Sequence, residues 1–472
     1  MGYIRYMDMK FHKLLIMILM LAALAVSSVS CIEDGVSSSP SDQPAFSVDT
    51  LDLGVVYTSE PAPTRRFTVY NRHSKIITLS NIEMRGEGSD RWRLNVDGHA
   101  GNSLTNIDIR PNDSILVFVE TTLADVGRPG VERRVAHIDF TTNGVTQSVP
   151  VAVSATDLAR LGGCVIERDT VFSAAYPIHV ADSLVVAEGA TLTLQPGVRL
   201  LFHDKAYFTV RGTLISEGTP DSPVDMTGDR TGNVAANIPY DIMASQWDGV
   251  YFAPASRGND LRFTTIRNTV TGVQVDSLAQ LSLRSCRLRN AAYYPLAAGQ
   301  ADITAVGCEF AEGGEGIVYL RGGSHRFDHC TLANYFLFSA IGGPALQLNG
   351  FSDETNASDA PLMKALFTNC IFYGLGFDLT DSDFTDTGVN FERCLFKSEA
   401  SECKNFVNCL WDTDPLYHTE RMEYYFDYRL QPESPAADAA QESEFTPVLS
   451  PDGDPVDTHL GAYPPAPLSA KN

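Results

Sequence analysis

The sequence predicts an all-β chain in two parts, a β-sandwich followed by a parallel β-helix. Two observations carry this. Short segments of alternating apolar and polar residues run from Ala45 to about Thr156, and downstream a cysteine-centred motif recurs every 22 residues. Alternation places apolar side chains on one face of a strand, and a fixed period near 20–30 residues marks a solenoid.

Composition sets the outer limits. The 472 residues are 44% hydrophobic and 20% charged, which excludes a disordered chain. The length suggests two or three domains. Acidic residues outnumber basic ones 58 to 35, a net charge of −23. That argues against a nucleic-acid partner, because phosphate binding needs clustered Lys and Arg.

The first 30 residues read as a secretory signal peptide. Lys10 and Lys13 precede an apolar run of 13 residues, Leu14 to Val26, too short to span a bilayer. The following Ser27-Ser-Val-Ser30 and Cys31 resemble a bacterial lipobox, which makes Cys31 the expected lipid-attachment residue. Glu33 and Asp34 resemble the surface-export signal of Bacteroidota-type lipoproteins; the alternative is a solvated linker. Residues 31–44, rich in Ser, Pro, Asp and Gln, read as a flexible tether. The resemblance implies an outer-membrane, lipid-anchored protein that faces the extracellular side.

Residues 45–157 read as an immunoglobulin-like β-sandwich. Phe67–Tyr70, Ile76–Leu79, Trp92–Val96, Ile115–Val119, Ile138–Phe140 and Val149–Val153 each alternate, with turn residues such as Asn71, Gly98 and Asn143-Gly144 between them. Leu51-Asp-Leu-Gly54 and Phe67-Thr-Val-Tyr-Asn71 resemble segments of Ig-like domains, which act as spacers or interaction modules rather than catalysts.

Residues 162–430 read as the β-helix. Cys286, Cys308 and Cys330 are 22 apart, and Cys370 and Cys394 follow after 40 and 24. Each has an apolar residue three before it and another two after it, as in Phe367-Thr-Asn-Cys-Ile-Phe372. The longer interval is one turn plus an insertion, assigned to Gly350–Pro361. Roughly ten turns are expected between Cys164 and Trp411. Equivalent positions on successive turns lie ~4.8 Å apart, too far and too parallel for disulfides, so these five cysteines are expected to form a buried ladder of free thiols. Cys403 and Cys409 either pair across a short loop or stay free.

With the early turns, the Gln246-Trp-Asp-Gly249 segment and the tail, the chain resembles right-handed parallel β-helix, pectin-lyase-like lipoproteins of Bacteroidota type. The tail, residues 431–472, is similar to the end segment of the choice-of-anchor Q type, in which Pro-x-Ser-Pro-Ala-x-Asp and Gly-Ala-Tyr close the helix. Pro432–Asp438 and Gly461–Tyr463 match it, while Leu460 stands for the usual Ile.

No reaction is legible. No Cys-x-x-Cys occurs and no ligand pair recurs at metal spacing, so no metal or other cofactor is expected. His325 and His329 lie four apart, a spacing of ~13 Å on a strand, and read as polar surface. Asp378, Asp381, Asp383 and Asp386 crowd one loop without the calcium-loop spacing. Tyr293-Tyr294 and Tyr424-Tyr425-Phe426 are aromatic runs from which one ring should point outward. Two functions follow. One is a non-catalytic surface binding or adhesion module for a glycan or protein ligand. The other is a polysaccharide lyase or glycoside hydrolase, which a groove lined by Arg267, Arg284, Arg287 and Arg289 would favour.

Overall fold

The computed structural model describes residues 35–235, 238–352, 363–401 and 403–467. The signal peptide, Cys31, Glu33, Asp34 and most of the Gly350–Pro361 insertion lie outside them. Among the described residues, no helix is long and apolar enough to cross a membrane. The chain divides into two compact units, residues up to 126 with 131–155, and 127–130 with 156 onward.

The first unit holds two sheets. One orders Ala45–Phe46, Arg65–Tyr70, Ser114–Thr121, Trp92–Val96 and His99–Ala100. The other contains Leu51–Tyr57, Val145–Thr156, Val131–Thr142 and Ile77–Arg85. The alternation read in the sequence is the alternation of burial: in Ser114–Thr121 the side chains of Ile115, Val117 and Val119 point inward. They join Phe67, Ile82, Trp92, Phe140 and Val151 in one apolar core.

The second unit is a parallel β-helix of three faces. The first face stacks ten strands, from Ala159–Leu161 to Leu395–Phe396. The second stacks eight, from Cys164–Ile166 to Leu346–Asn349, and the third ten, from Thr170–Phe172 to Phe406–Val407. Every rung-to-rung pairing is parallel, so like positions fall in columns. Leu184, Phe208, Val250, Val273, Leu296, Val318 and Leu346 form one such inward column on the second face.

The corner between the third and first faces explains the cysteine motif. Ser285, Gly307, His329, Asn369, Arg393 and Asn408 all have φ between 48° and 61°. This left-handed conformation turns the strand sharply and costs a non-glycine residue ~1–2 kcal/mol. A cysteine follows each of them and points inward. Its sulfur lies against the carbonyl two residues back, as in Cys308 Sγ to Val306 O at 3.3 Å and Cys370 Sγ to Thr368 O at 3.1 Å. Cys286, Cys308, Cys330, Cys370 and Cys394 are all buried and free, and burial pushes each thiol well above its ordinary pKa.

A sixth cysteine completes the column. Cys409 follows Asn408 at the same corner, where a hydrogen bond from Cys394 holds its thiol below the ordinary pKa. It is half-buried, and so is Cys403; both are free thiols. The apolar residues flanking each cysteine stack as well. Phe327, Phe367, Phe391 and Phe406 lie 5.1, 5.0 and 4.7 Å apart in sequence, centroid to centroid. Phe372, Phe396 and Trp411 follow at 4.9 and 4.7 Å.

The tail does not cap the last rung. It runs back along the outside of the first face as a strap. Tyr417, Tyr428, Leu430, Leu460 and Tyr463 pack on Ala311, Ala333, Ile371 and Leu395, and Val448 and Val456 on Val306.

The thiol column predicts a graded reactivity. In the native protein an alkylator should modify Cys409 with half-maximal rate below pH 9 and leave Cys308 untouched until denaturant is added; modification of native Cys308 would contradict the burial. Cys308→Ser should lower unfolding free energy by ~1–3 kcal/mol in urea titrations, because it places a hydroxyl in an apolar stack.

Candidate functional site

The second face offers the most distinctive open surface. Alternation sends every second residue outward, and rung register aligns Tyr251, Gln274, Ala297, Tyr319 and Gln347 in one strip. Tyr294, in the bend before Leu296–Gly299, leans over it, its ring centroid 5.4 Å from that of Tyr319. Its hydroxyl donates to Gln347 Oε1 at 2.7 Å. Burial, with Glu315 and Tyr319 nearby, raises its pKa. At the other end the Tyr251 hydroxyl donates to Asp276 Oδ2 at 2.5 Å, which pushes the phenol up to about 12 and lowers the carboxyl. The Asn349 amide donates to the Tyr319 hydroxyl at 3.4 Å. Between the aromatic ends, Ala297 leaves a shallow floor, with Gln274 exposed beside it. Aromatic faces fixed by hydrogen bonds at their hydroxyls, with amide and carboxylate groups between them, can bury an apolar ligand face while bonding its hydroxyls.

The first face is different. Arg267, Arg287 and Arg289 do line its outer surface, on adjacent rungs, but each is paired. Arg267 meets Asp241, Arg287 meets Asp452 and Arg289 meets Glu309. Arg284 is exposed but lies on the third face, beside Arg262. The strap seals the rest. Tyr463 Oη donates to Glu309 Oε2 at 2.5 Å and accepts from Arg287 Nε at 3.0 Å. Tyr428 Oη donates to Glu312 Oε1, where the Tyr335 amide also binds at 3.3 Å. Burial pushes Glu312 up to about 7 despite these bonds. This arrangement is a latch for the tail rather than a cationic groove.

The histidines are not surface residues. His325 lies on an inward column between Ile303 and Ala365, buried, with Nε2 2.7 Å from Gly322 O. Burial drops its pKa to about 4. His329 occupies the left-handed corner and is covered by the tail: its Nδ1 is 2.8 Å from Asp328 Oδ1, and Ser443 Oγ donates to Asp328 Oδ2 at 2.5 Å. The serine thus bonds the carboxylate and not the imidazole, which is not the order of a nucleophilic triad. Period-2 reasoning on an isolated strand could not foresee either burial.

The four aspartates of the 378–386 loop do not converge. Asp378 is buried and accepts from the Ser398 amide and hydroxyl at 2.8 and 2.9 Å, Asp383 accepts from the Thr385 amide, and Asp386 pairs with Lys404. Of the aromatic runs, Tyr293 is 50% exposed. Tyr424, Tyr425 and Phe426 are half-buried. Tyr251, Tyr319 and Gln347 were not singled out in the sequence; their signal is register, at intervals of 23, 23, 22 and 28 residues through Gln274 and Ala297.

No family model matches the chain, and no curated protein matches it. Among solved structures it shows a weak likeness to a family 123 glycoside hydrolase from Clostridium perfringens, studied for the details of glycolipid glycan hydrolysis. The identity is 7% and the TM-score 0.18, over 25% of this chain and 30% of that one. The chain thus spans about 30% of that protein's length, and the likeness bears on neither fold nor activity.

The latch predicts a pH dependence. Glu312 is raised from 4.5 to about 7 in the folded state, so its contribution to stability is complete below about pH 4.5 and is lost as pH rises toward 7. Glu312→Gln, which keeps the acceptor for Tyr428, should flatten the stability profile across that window and gain up to ~3 kcal/mol at pH 8. Parallel denaturation profiles for the two proteins would contradict it.

Proposed function

We propose that this protein is a surface lipoprotein that binds a neutral glycan, without turnover, along the Tyr251–Gln347 strip of its β-helix. The observation that carries the reading is the strip itself: Tyr251, Tyr294 and Tyr319 held by side-chain hydrogen bonds on a stiff parallel face. Repeat folds use such extended faces for recognition. The net charge of −23 disfavours an anionic polymer, and pairing of Arg267, Arg287 and Arg289 with acids removes the cationic groove that favoured a lyase.

The anchoring belongs to the same proposal. The Lys10–Ser30 segment and Cys31 support lipid attachment to the outer membrane, and Glu33 and Asp34 support display on the outer surface. The N-terminal unit, read as an Ig-like domain, serves as a spacer or interaction module. The right-handed, pectin-lyase-like lipoprotein type and the choice-of-anchor Q resemblance of the tail rest on the residues quoted above.

On an array of neutral and uronate-containing oligosaccharides, the full chain should capture neutral ones. Tyr319→Ala should weaken capture roughly tenfold or more, about 1.4 kcal/mol, and Tyr251→Phe, which keeps the ring, should weaken it less. Unchanged capture by folded Tyr319→Ala and Tyr294→Ala variants, or release of reducing or unsaturated ends, would overturn the reading. Cys31→Ala should move the protein from the membrane fraction to the soluble fraction; persistence in the membrane would refute the anchor.

A further inference from the structure

Among the described residues, one group of three His, Cys, Asp or Glu side chains brings its ligand atoms within 4.8 Å of one another: His179, His203 and Asp229. They come from three successive rungs near the N-terminal end of the β-helix. His179 lies in Ile178–Val180, His203 directly follows Arg199–Phe202, and Asp229 directly follows Val224–Gly228. The rungs are in register, with His179 opposite Leu201 and Phe202 opposite Gly228. Rung hydrogen bonds fix the backbone at two of the three positions: the His203 amide donates to Val180 O at 3.0 Å and the Asp229 amide to Phe202 O at 3.0 Å.

The side chains converge on one point. His179 Nε2 is 3.0 Å and His203 Nδ1 2.7 Å from the same oxygen, Asp229 Oδ2. The two rings meet edge to face at 5.9 Å. His179 and Asp229 are largely buried, while the His203 side chain is 58% exposed and closes the cluster from solvent. Burial alone would raise the Asp229 carboxyl, yet the two imidazole bonds outweigh it and hold it below the ordinary range.

We propose that His179, His203 and Asp229 form a binding site for a first-row divalent transition ion, with Zn2+ as the reference ion. Donors ~2.0–2.2 Å from a tetrahedral zinc lie about 3.3 Å apart. The observed 3.0 and 2.7 Å separations need only a small outward rotation of His203, which its exposure permits. Two imidazoles with one carboxylate match the donor preference of zinc and its neighbours rather than calcium or magnesium. Three protein ligands leave a position on the His203 side for water or a ligand oxygen. The ion would join three rungs where the stack begins, by Nε2 of His179, Nδ1 of His203 and a carboxylate oxygen of Asp229. Each imidazole would then carry its proton on the other nitrogen. This site is independent of the glycan strip.

The test is titration of EDTA-treated full chain with ZnCl2 by calorimetry, and with CoCl2 by absorption. The proposal expects one ion per chain at micromolar affinity or tighter, a rise in melting temperature, and a cobalt spectrum without a thiolate charge-transfer band. His203→Ala, an exposed change, and Asp229→Asn should each weaken binding at least tenfold and abolish the thermal shift, with circular dichroism unchanged. Three results would overturn it: no ion bound, equal binding by the variants, or a thiolate band, which would place the ion on cysteines.

Discussion

Parallel rung-on-rung register is the constraint on which the second unit depends. Each strand pairs with its equivalent one turn earlier, so a residue's neighbours above and below are fixed by its position in the turn. Inward positions become continuous columns of like side chains: thiols at one corner, phenylalanines on either side of them. Stacked rings at about 5 Å and close-packed thiols exclude water over the length of the column, and no side chain can change size without disturbing both neighbours. The left-handed residues at that corner, including bulky His329 and Arg393, carry local strain that the register over-determines.

The same register builds the outer surface. A strip such as Tyr251 to Gln347 is a consequence of pairing, since no two of its members are near in sequence. The His179, His203 and Asp229 cluster arises in the same way from three rungs. The first face is instead closed by the tail. Glu309 and Glu312 would be costly to bury alone, and the Arg289, Tyr463 and Tyr428 partners offset that cost. The latch therefore gives the strap one specific seat along the rungs.

How much of this could be read from sequence depended on whether the signal was periodic. The cysteine motif declared the solenoid because its corner recurs after 22 residues. Cys409 carried the same flanks, Phe406 and Trp411, but its 15-residue interval hid it from a search for that period. The outward strip escaped because turn lengths vary between rungs, and outward positions carry no common residue type. His329 escaped because its burial depends on Ser443 and the rest of the tail, more than 100 residues away. The pairing of Arg287 with Asp452 is equally remote. Local pattern foretells columns, not what is laid over them.

The central claim is that register assembles a glycan-binding strip on the second face. Hydroxyl-radical footprinting of the full chain, with and without a captured neutral oligosaccharide, tests it most directly. Protection concentrated at Tyr251, Tyr294 and Tyr319, with Tyr207 and Tyr425 unchanged, is the expected result. Protection that spares those three rings and falls on the third face or the N-terminal unit would contradict it.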